Sequence, residues 1–299
     1  MITTTPRIAA ALVLTLALLR PAWAAGPWTW LHDPQSGTTL LLVGTTHKPR
    51  FLPFAMHARL IAAVGRSDVL WFESITGTLG SDRGAEYSAV EGRFLRESDL
   101  AGFARWCATA MRMSSPRSSW PTMESAPVVL YAFRHGMSPA RPGPNVVDAS
   151  EVALFDASTT RFPWLVPREL ESAQDMVDFA AGIDAAQVNA TIEAACRAAS
   201  GTGTREQDEA YSAAFDEPWR AGDWDAIADL ERRSSMDVHG MPPAVHDRLL
   251  DWRNERMLAK ALNGSGGARR ITLVVGAAHL GGPHGLVALA KGRGFVSEP

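Results

Sequence analysis

The first part of the chain alternates apolar and polar residues in a way that predicts a β-hairpin. Residues 28–30 read Trp-Thr-Trp, residues 33–37 have the composition of a turn, and residues 38–43 form a largely apolar run. Alternation, turn residues and a second apolar segment are together typical of two paired strands. The second strand is expected to lie in the core of a sheet.

A helix and another strand are predicted next. Pro53 stands where a helix can begin and Gly65 where it can stop. Residues 69–72 then form a short apolar run that ends at Glu73. A crossover through a helix makes two strands parallel, so we expect His47 and Glu73 side by side at the carboxyl edge, where open α/β sheets bind ligands. The buried face of this helix is expected to contain Phe54, Ala58, Ile61 and Val64.

Further along the chain, residues 145–148 predict a short strand, and residues 168–199, 218–233 and 243–263 have helical periodicity. A chain of 299 residues with 46% hydrophobic content can bury a full core, and its length does not require more than one domain. We therefore predict a single α/β domain over residues 25–299, with a central mixed or mostly parallel sheet flanked by helices.

The same short motif, an apolar run followed by Gly-x-x-His, occurs near each end of the chain. The first copy contains Gly44 and His47, and the second contains Gly276 and His279. An apolar run closed by glycine indicates a buried strand followed by a sharp turn, whose backbone N–H groups can point towards an anion or a developing oxyanion. If the last strand is parallel to the first two, both histidines reach the edge that holds Glu73.

Two histidines and one carboxylate suit a divalent metal ion that keeps an open position for water. Such an ion lowers the pKa of its bound water enough for attack on a carbonyl near neutral pH. The candidate ligands are therefore His47, Glu73 and His279, and the candidate ions are manganese, cobalt and zinc. An acid–base site without metal is the main alternative. In the simplest structural alternative, each histidine only forms a hydrogen bond to the backbone at the edge of the sheet.

Arg253 shares a stripe with Leu250 and Met257 in the last predicted helix. A cation that faces inwards needs a carboxylate or a bound anion, because burial without a partner costs several kcal/mol. Arg253 is thus a candidate to hold Glu73 or a substrate carboxylate, and an arginine snorkelling at the edge of the stripe fits the same pattern. The adjacent Asn254 is a candidate to donate to a ligand or to cap a loop.

The amino terminus has the pattern of a secretory signal peptide: Arg7, an apolar stretch over residues 8–19, and a small-x-small sequence at residues 22–24. The apolar stretch is shorter than the about 20 residues that span a bilayer. We therefore expect residues 1–24 to be removed, leaving a periplasmic or secreted protein without a stable membrane span. Loss of Arg7 and Arg20 takes the formal net charge from −3 to −5, which argues against nucleic acid as a partner.

Two cysteines are present, Cys107 and Cys196. An exported chain meets an oxidising compartment, where an even pair can form a disulfide. Two buried thiols are the equal alternative. Neither cysteine has the sequence neighbours expected of a catalytic nucleophile.

Several of these residues lie in segments that resemble the TraB/GumN family. The segments are Gly44-Thr45-Thr46-His47, Glu73 after its short strand, Ala221-Gly222-Asp223, Arg253-Asn254, and Val-Gly-Ala-Ala-His-Leu-Gly-Gly-Pro-His-Gly-Leu over residues 275–286. The resemblance extends from about Trp30 to the end, and its last run is the most specific. An acidic residue that the family has after a middle strand corresponds loosely to Asp148 or Glu151. The family also contains the TIKI proteases, which are metal-dependent and cut the amino terminus of Wnt proteins.

The resemblance implies that His47, Glu73 and His279 form the active or metal site, with Arg253 and Asn254 close by. It also implies a fold like that of the erythromycin-esterase (EreA) and haem-binding ChaN groups. We therefore expect an exported metal-dependent hydrolase that acts on a peptide or amide bond. A periplasmic protein that binds haem or metal without catalysis is one alternative, and an accessory protein of surface-polysaccharide export is another.

Overall fold

The computed structural model of the chain describes residues 26–46, 51–73, 146–148, 150–172, 175, 186–187, 205–238 and 241–297. Within these ranges, six strands form one mixed sheet and two more form a small separate sheet. The prediction of an α/β fold around a central mixed sheet is confirmed. The signal peptide, His47, Cys107 and Cys196 lie outside the described residues.

The strands, in chain order, are β1 Trp28–His32, β2 Thr39–Thr45, β3 Phe51–Pro53, β4 Val69–Phe72, β5 Val146–Asp148, β6 Pro167–Glu169, β7 Arg270–Gly276 and β8 Val296–Ser297. The helices are α1 Phe54–Val64, α2 Glu151–Arg161, α3 Arg205–Ala221, α4 Trp224–Arg233, α5 Pro243–Asp247, α6 Arg253–Gly264 and α7 Leu286–Gly292. The described part of the chain also contains two π turns, Ser234–Val238 and Arg248–Trp252, and one 3₁₀ turn, Ala277–His279.

The order of strands in the central sheet is β6-β4-β7-β2-β1-β8. Strands β6, β4, β7 and β2 are parallel, whereas β1 pairs antiparallel with both β2 and β8. The predicted hairpin and the predicted parallel direction of β2 and β4 are confirmed, and the condition that the last strand, β7, is parallel to them is met. β7, which comes from the far end of the chain, lies between β2 and β4, so the expectation that β2 and β4 end side by side is wrong.

The parallel strands form the apolar centre of the molecule. Leu40 to Val43 in β2 are all buried, as are Val69 to Phe72 in β4 and Ile271 to Val275 in β7. Parallel strands that are covered on both faces have such continuous apolar runs. Helix α1 packs against α2, α3 against α4, and α6 against α7.

Helix α1 begins directly after Pro53, and the N–H of Gly65 closes its last turn on the carbonyl of Ile61 at 3.0 Å. Its buried residues are Leu60, Ile61 and Val64. Phe54 is 68% exposed, so its expected place in the buried face is wrong. Met56, in the same first turn, is half-buried against the core, and the fully buried positions begin one turn later at Leu60.

Two of the predicted helices have different boundaries in the structure. Residues 167–169 form the edge strand β6 instead of the start of a helix, and an edge position tolerates Pro167, which cannot donate a backbone hydrogen bond. The helix predicted over residues 218–233 is interrupted at Gly222, whose φ of 69° is left-handed and ends α3. The Asp223 carboxylate then caps α4 by accepting a hydrogen bond from the N–H of Ala226.

The strand predicted at residues 145–148 is present as β5, but it pairs antiparallel with β3 in the separate small sheet. The helix predicted over residues 243–263 is present as a continuous helical run, in which the π turn separates α5 from α6. None of the helices in the described part of the chain is both long and apolar enough to cross a membrane.

Candidate functional site

Polar residues follow three neighbouring parallel strands at the carboxyl edge of the sheet. Glu171 comes two residues after β6, Glu73 directly after β4, and His279 three residues after β7. The backbone ladder continues between them, because the N–H of Glu73 donates to the carbonyl of Val274 at 2.9 Å and the N–H of Glu171 donates to the carbonyl of Glu73 at 3.0 Å. The two glutamates are therefore held on adjacent strands.

Arg253, the first residue of α6, lies between the two carboxylates. Its Nη2 donates to Oε1 of Glu73 at 2.7 Å, and its Nε donates to Oε1 of Glu171 at 2.7 Å. Nη2 also donates to Oε2 of Glu171, so that this pair is bidentate and strongly oriented. All three side chains are buried. Of the two partners proposed for Arg253, Glu73 and a substrate carboxylate, the structure shows Glu73, together with Glu171, which was not predicted.

Burial and pairing act on Arg253 in opposite directions. Burial would lower the pKa of Arg253, but the hydrogen bonds and charges of Glu171 and Glu73 outweigh burial and raise that pKa above its ordinary value. Arg253 is therefore a permanent cation. The guanidinium is thus held between two buried carboxylates, which orient one another through it.

His279 and Asn254 form the other half of the site. Nε2 of His279 lies 3.5 Å from Oε1 of Glu73, and its Nδ1 lies 2.7 Å from Oδ1 of Asn254. Nδ2 of Asn254 donates to the backbone carbonyl of His284 at 3.0 Å. His279 is 4% exposed and Asn254 is 1% exposed. A continuous polar chain thus runs from Glu73 through His279 and Asn254 to the turn before α7.

The two motif glycines have different roles. The N–H of Gly276 donates to Oε2 of Glu73 at 2.7 Å, so the anion that it faces is the site's own carboxylate. A Cβ at Gly276 would lie 3.2 Å from that oxygen and crowd it. The N–H of Gly44 instead donates to the carbonyl of Pro27 at 2.9 Å, and the Trp224 ring fills the space of its missing Cβ. The expectation that Gly44 supplies a turn or an oxyanion donor is therefore wrong.

The structure brings four predicted site residues together: Glu73, Arg253, Asn254 and His279. β2 ends beside β7, with Thr45 opposite Gly276, and His47 follows two residues later in the sequence, outside the described residues. Within the described ranges, no group of three or more His, Cys, Asp and Glu side chains could hold a metal ion.

Sequence reasoning missed Glu171. Asp148 and Glu151, the acidic residues that the resemblance suggested, lie in β5 and at the start of α2 instead. A signal for Glu171 was present, because Leu170-Glu171 repeats the pattern of Phe72-Glu73, an apolar residue followed by glutamate at the end of a strand. The helical reading of residues 168–199 hid this strand end.

Comparison with known families gives a match in the carboxyl-terminal part of the chain. Residues 162–299 match the model of the TraB/PrgY/gumN family. The matched region contains Glu171, Arg253, Asn254 and His279. No curated protein matches the chain.

Proposed function

We propose that this chain, whose residues 162–299 match the TraB/PrgY/gumN family, is an exported, metal-dependent hydrolase that cleaves peptide or amide bonds. The observation that carries the proposal is the buried pair of His279 and Glu73 at the carboxyl edge of the sheet, with Nε2 and Oε1 3.5 Å apart. An imidazole and a carboxylate at this separation can bind one cation or act on one water molecule.

The residues present fit a divalent ion. Metal bonds to histidine nitrogen and carboxylate oxygen are about 2.0–2.2 Å long, so two donor atoms 3.5 Å apart can share one ion. Glu73 would supply a carboxylate oxygen to this ion and His279 a ring nitrogen, and His47 is the proposed third ligand. When bound, the ion would supply a water molecule of lowered pKa.

The remaining residues orient Glu73. Arg253 holds Oε1 and the N–H of Gly276 holds Oε2, while Glu171 fixes Arg253 from the other side. In the proposed reaction, Glu73 is a ligand or the general base that accepts a proton from water. A carboxylate held at both oxygens needs no reorganisation to do so.

A site without metal is the second candidate, and a specific observation favours it. Both oxygens of Glu73 already accept hydrogen bonds, one from Arg253 and one from the N–H of Gly276. In that case Glu73 and His279 would act directly as the acid–base pair on a water molecule.

Metal analysis and peptide cleavage test both forms of the proposal. The full chain is measured for bound manganese, cobalt and zinc before and after chelation, and assayed on a peptide library with each ion added back. We expect chelation to abolish cleavage and one ion to restore it. His47→Ala, Glu73→Gln and His279→Gln should each lower kcat/KM by about 100-fold or more, while His32→Gln, in β1, serves as the control.

The outcomes separate the candidates. Cleavage that survives chelation would support the acid–base site without metal. If no peptide is cleaved and the variants change only the melting temperature, the hydrolase proposal is wrong. A Soret band on titration with haem would then favour the binding protein.

A further inference from the structure

The side-chain amide of Asn254 connects the ring of His279 to the turn before α7. Its Nδ2 lies 3.0 Å from the carbonyl oxygen of His284, and its Oδ1 lies 2.7 Å from Nδ1 of His279. The amide is 1% exposed, so water does not compete for either end. Each end of this amide therefore has one defined partner.

The backbone carbonyl fixes which way the amide points. A carbonyl oxygen can only accept a hydrogen bond, so the nitrogen end of Asn254 must face His284. The oxygen end then faces His279, and because an amide oxygen also only accepts, Nδ1 of the ring must carry the hydrogen. A neutral imidazole has one N–H, so Nε2 is left with the lone pair.

Glu73 is the competing partner, because its carboxylate would favour a hydrogen on Nε2. The distances decide against it. The contact between His279 and Asn254 is 2.7 Å, a good hydrogen bond, whereas the contact between Nε2 and Oε1 of Glu73 is 3.5 Å, longer than a normal one. Oε1 of Glu73 also accepts from Arg253 at 2.7 Å.

We infer that Asn254 is a positioning residue that holds His279 in the Nδ1–H tautomer, so that the Nε2 lone pair faces Glu73. The tautomer follows from the contacts alone, and only its use in metal binding or acid–base chemistry rests on the proposed function. Metal-binding histidines use the same arrangement, in which one ring nitrogen donates to a fixed acceptor and the other nitrogen binds the metal.

The tautomer is measurable by ¹⁵N NMR of the full chain labelled at histidine and treated with chelator. The ring signals of His279 are identified by their loss in His279→Gln, and the neutral form is scored on the alkaline side of the ordinary histidine range. We expect a protonated Nδ1 and an unprotonated Nε2. Asn254→Leu, which removes the acceptor, should shift the population towards the Nε2–H form. Asn254→Asp keeps an acceptor opposite Nδ1 and should keep the tautomer.

Affinity for Co²⁺ is the second readout. Asn254→Leu should weaken Co²⁺ binding by about 10–100-fold, and Asn254→Asp should weaken it much less. An Nε2–H or doubly protonated ring in the wild-type chain would overturn the inference, as would an unchanged tautomer in Asn254→Leu. If Asn254→Leu does not fold, the tautomer of His279 in the wild-type chain and in Asn254→Asp still tests the inference.

The two proposals fail separately. The NMR result needs neither metal nor cleavage, so an inactive chain with the expected tautomer would refute only the proposed function. An active, metal-dependent chain with the opposite tautomer would refute only the role of Asn254.

Discussion

His246, in α5, is 4% exposed, and neither of its ring nitrogens has a hydrogen-bond partner among the described residues. Oδ1 of Asp247 lies 3.6 Å from its Nδ1, beyond hydrogen-bonding distance, and that carboxylate pairs with Arg232. Burial and then the positive charge of Arg232 lower the pKa of His246 below its ordinary value of 6.5. The imidazole is therefore held in its neutral form.

This lowered pKa predicts that the free energy of unfolding decreases as the pH falls below about 6.5. Above that pH, His246 is neutral in both states. Below it, the unfolded chain takes up a proton that the native chain does not, and stability is lost by at most about 1.4 kcal/mol per pH unit until the folded pKa is reached. Urea unfolding at a series of pH values measures this slope.

His246→Leu should flatten the slope, because neither state then gains a proton at this position. His32→Gln, in β1, is the matched control and should keep the slope because His246 is still present. A slope that is unchanged in His246→Leu would show that other groups cause it.

At the scale of residues, the sequence predicted a contact where the helical spacing of neighbouring residues placed a side chain on a buried face. Arg253 was found because it shares a helical stripe with Leu250 and Met257, and an inward-facing cation needs a carboxylate. Glu171 was missed because residues 168–199 were predicted to be a helix, whereas its place beside Glu73 and Arg253 depends on the pairing of β6 with β4. The hydrogen bond from Gly44 to Pro27 depends on the pairing of two strands in the same way.

At the scale of elements, the turn that follows His279 is wedged against the start of α4. A Cβ at Gly281 would lie 1.8 Å from the backbone carbonyl oxygen of Trp224. The N–H of the next residue, Gly282, donates to Oδ1 of Asp225 at 2.9 Å. Because the contact at Gly281 is with backbone, it cannot be relieved by rotation of a side chain, and it fixes the distance between α4 and the turn that carries His279.

Gly281→Ala should therefore lower the free energy of unfolding by about 3 kcal/mol or more, since the added methyl group must push α4 away from the turn. Gly292→Ala is the matched control, because a Cβ at Gly292 meets nothing within 4 Å. At the end of α7 the alanine should be neutral or stabilising by up to about 1 kcal/mol. Urea unfolding of the two variants measures the difference. Equal stabilities would show that the contact between Gly281 and the backbone of Trp224 does not constrain α4.

The elements that the sequence predicted well are those whose local pattern is long enough to read. β4 and α1 were found close to their true bounds, whereas β6 has only three residues and was read as part of a helix. The π turn Arg248–Trp252 was not foreseen either. A π turn closes its backbone hydrogen bonds over five residues instead of four, and the apolar pattern of so short a segment does not distinguish the two.

At the scale of the whole molecule, the order of strands could not be read from local patterns. Parallel β2 and β4 follow from the strand, helix, strand order, but the strand that separates them comes from the other end of the chain. The site is divided in the same way. Glu73 lies outside the region that matches the family, whereas Arg253, Asn254 and His279 lie inside it. A complete site therefore requires both parts of the chain.

This division predicts that residues 162–299 do not fold alone. Among the described residues, β6 pairs with β4, β7 with β2 and β4, and β8 with β1, so the strands of this region have no partner within it. Alone, the region would expose both edges of β7 and its apolar residues Ile271, Leu273, Val274 and Val275. We expect the isolated region to show poorly dispersed amide NMR signals and no cooperative unfolding. Residues 26–299 should instead show well-dispersed signals and a cooperative unfolding transition.

Co-expression with residues 26–161 should restore the fold, because it returns β2 and β4 to the two sides of β7. A dispersed spectrum from the isolated region would mean that β7 finds other partners, and that Glu73 joins a site already formed without it.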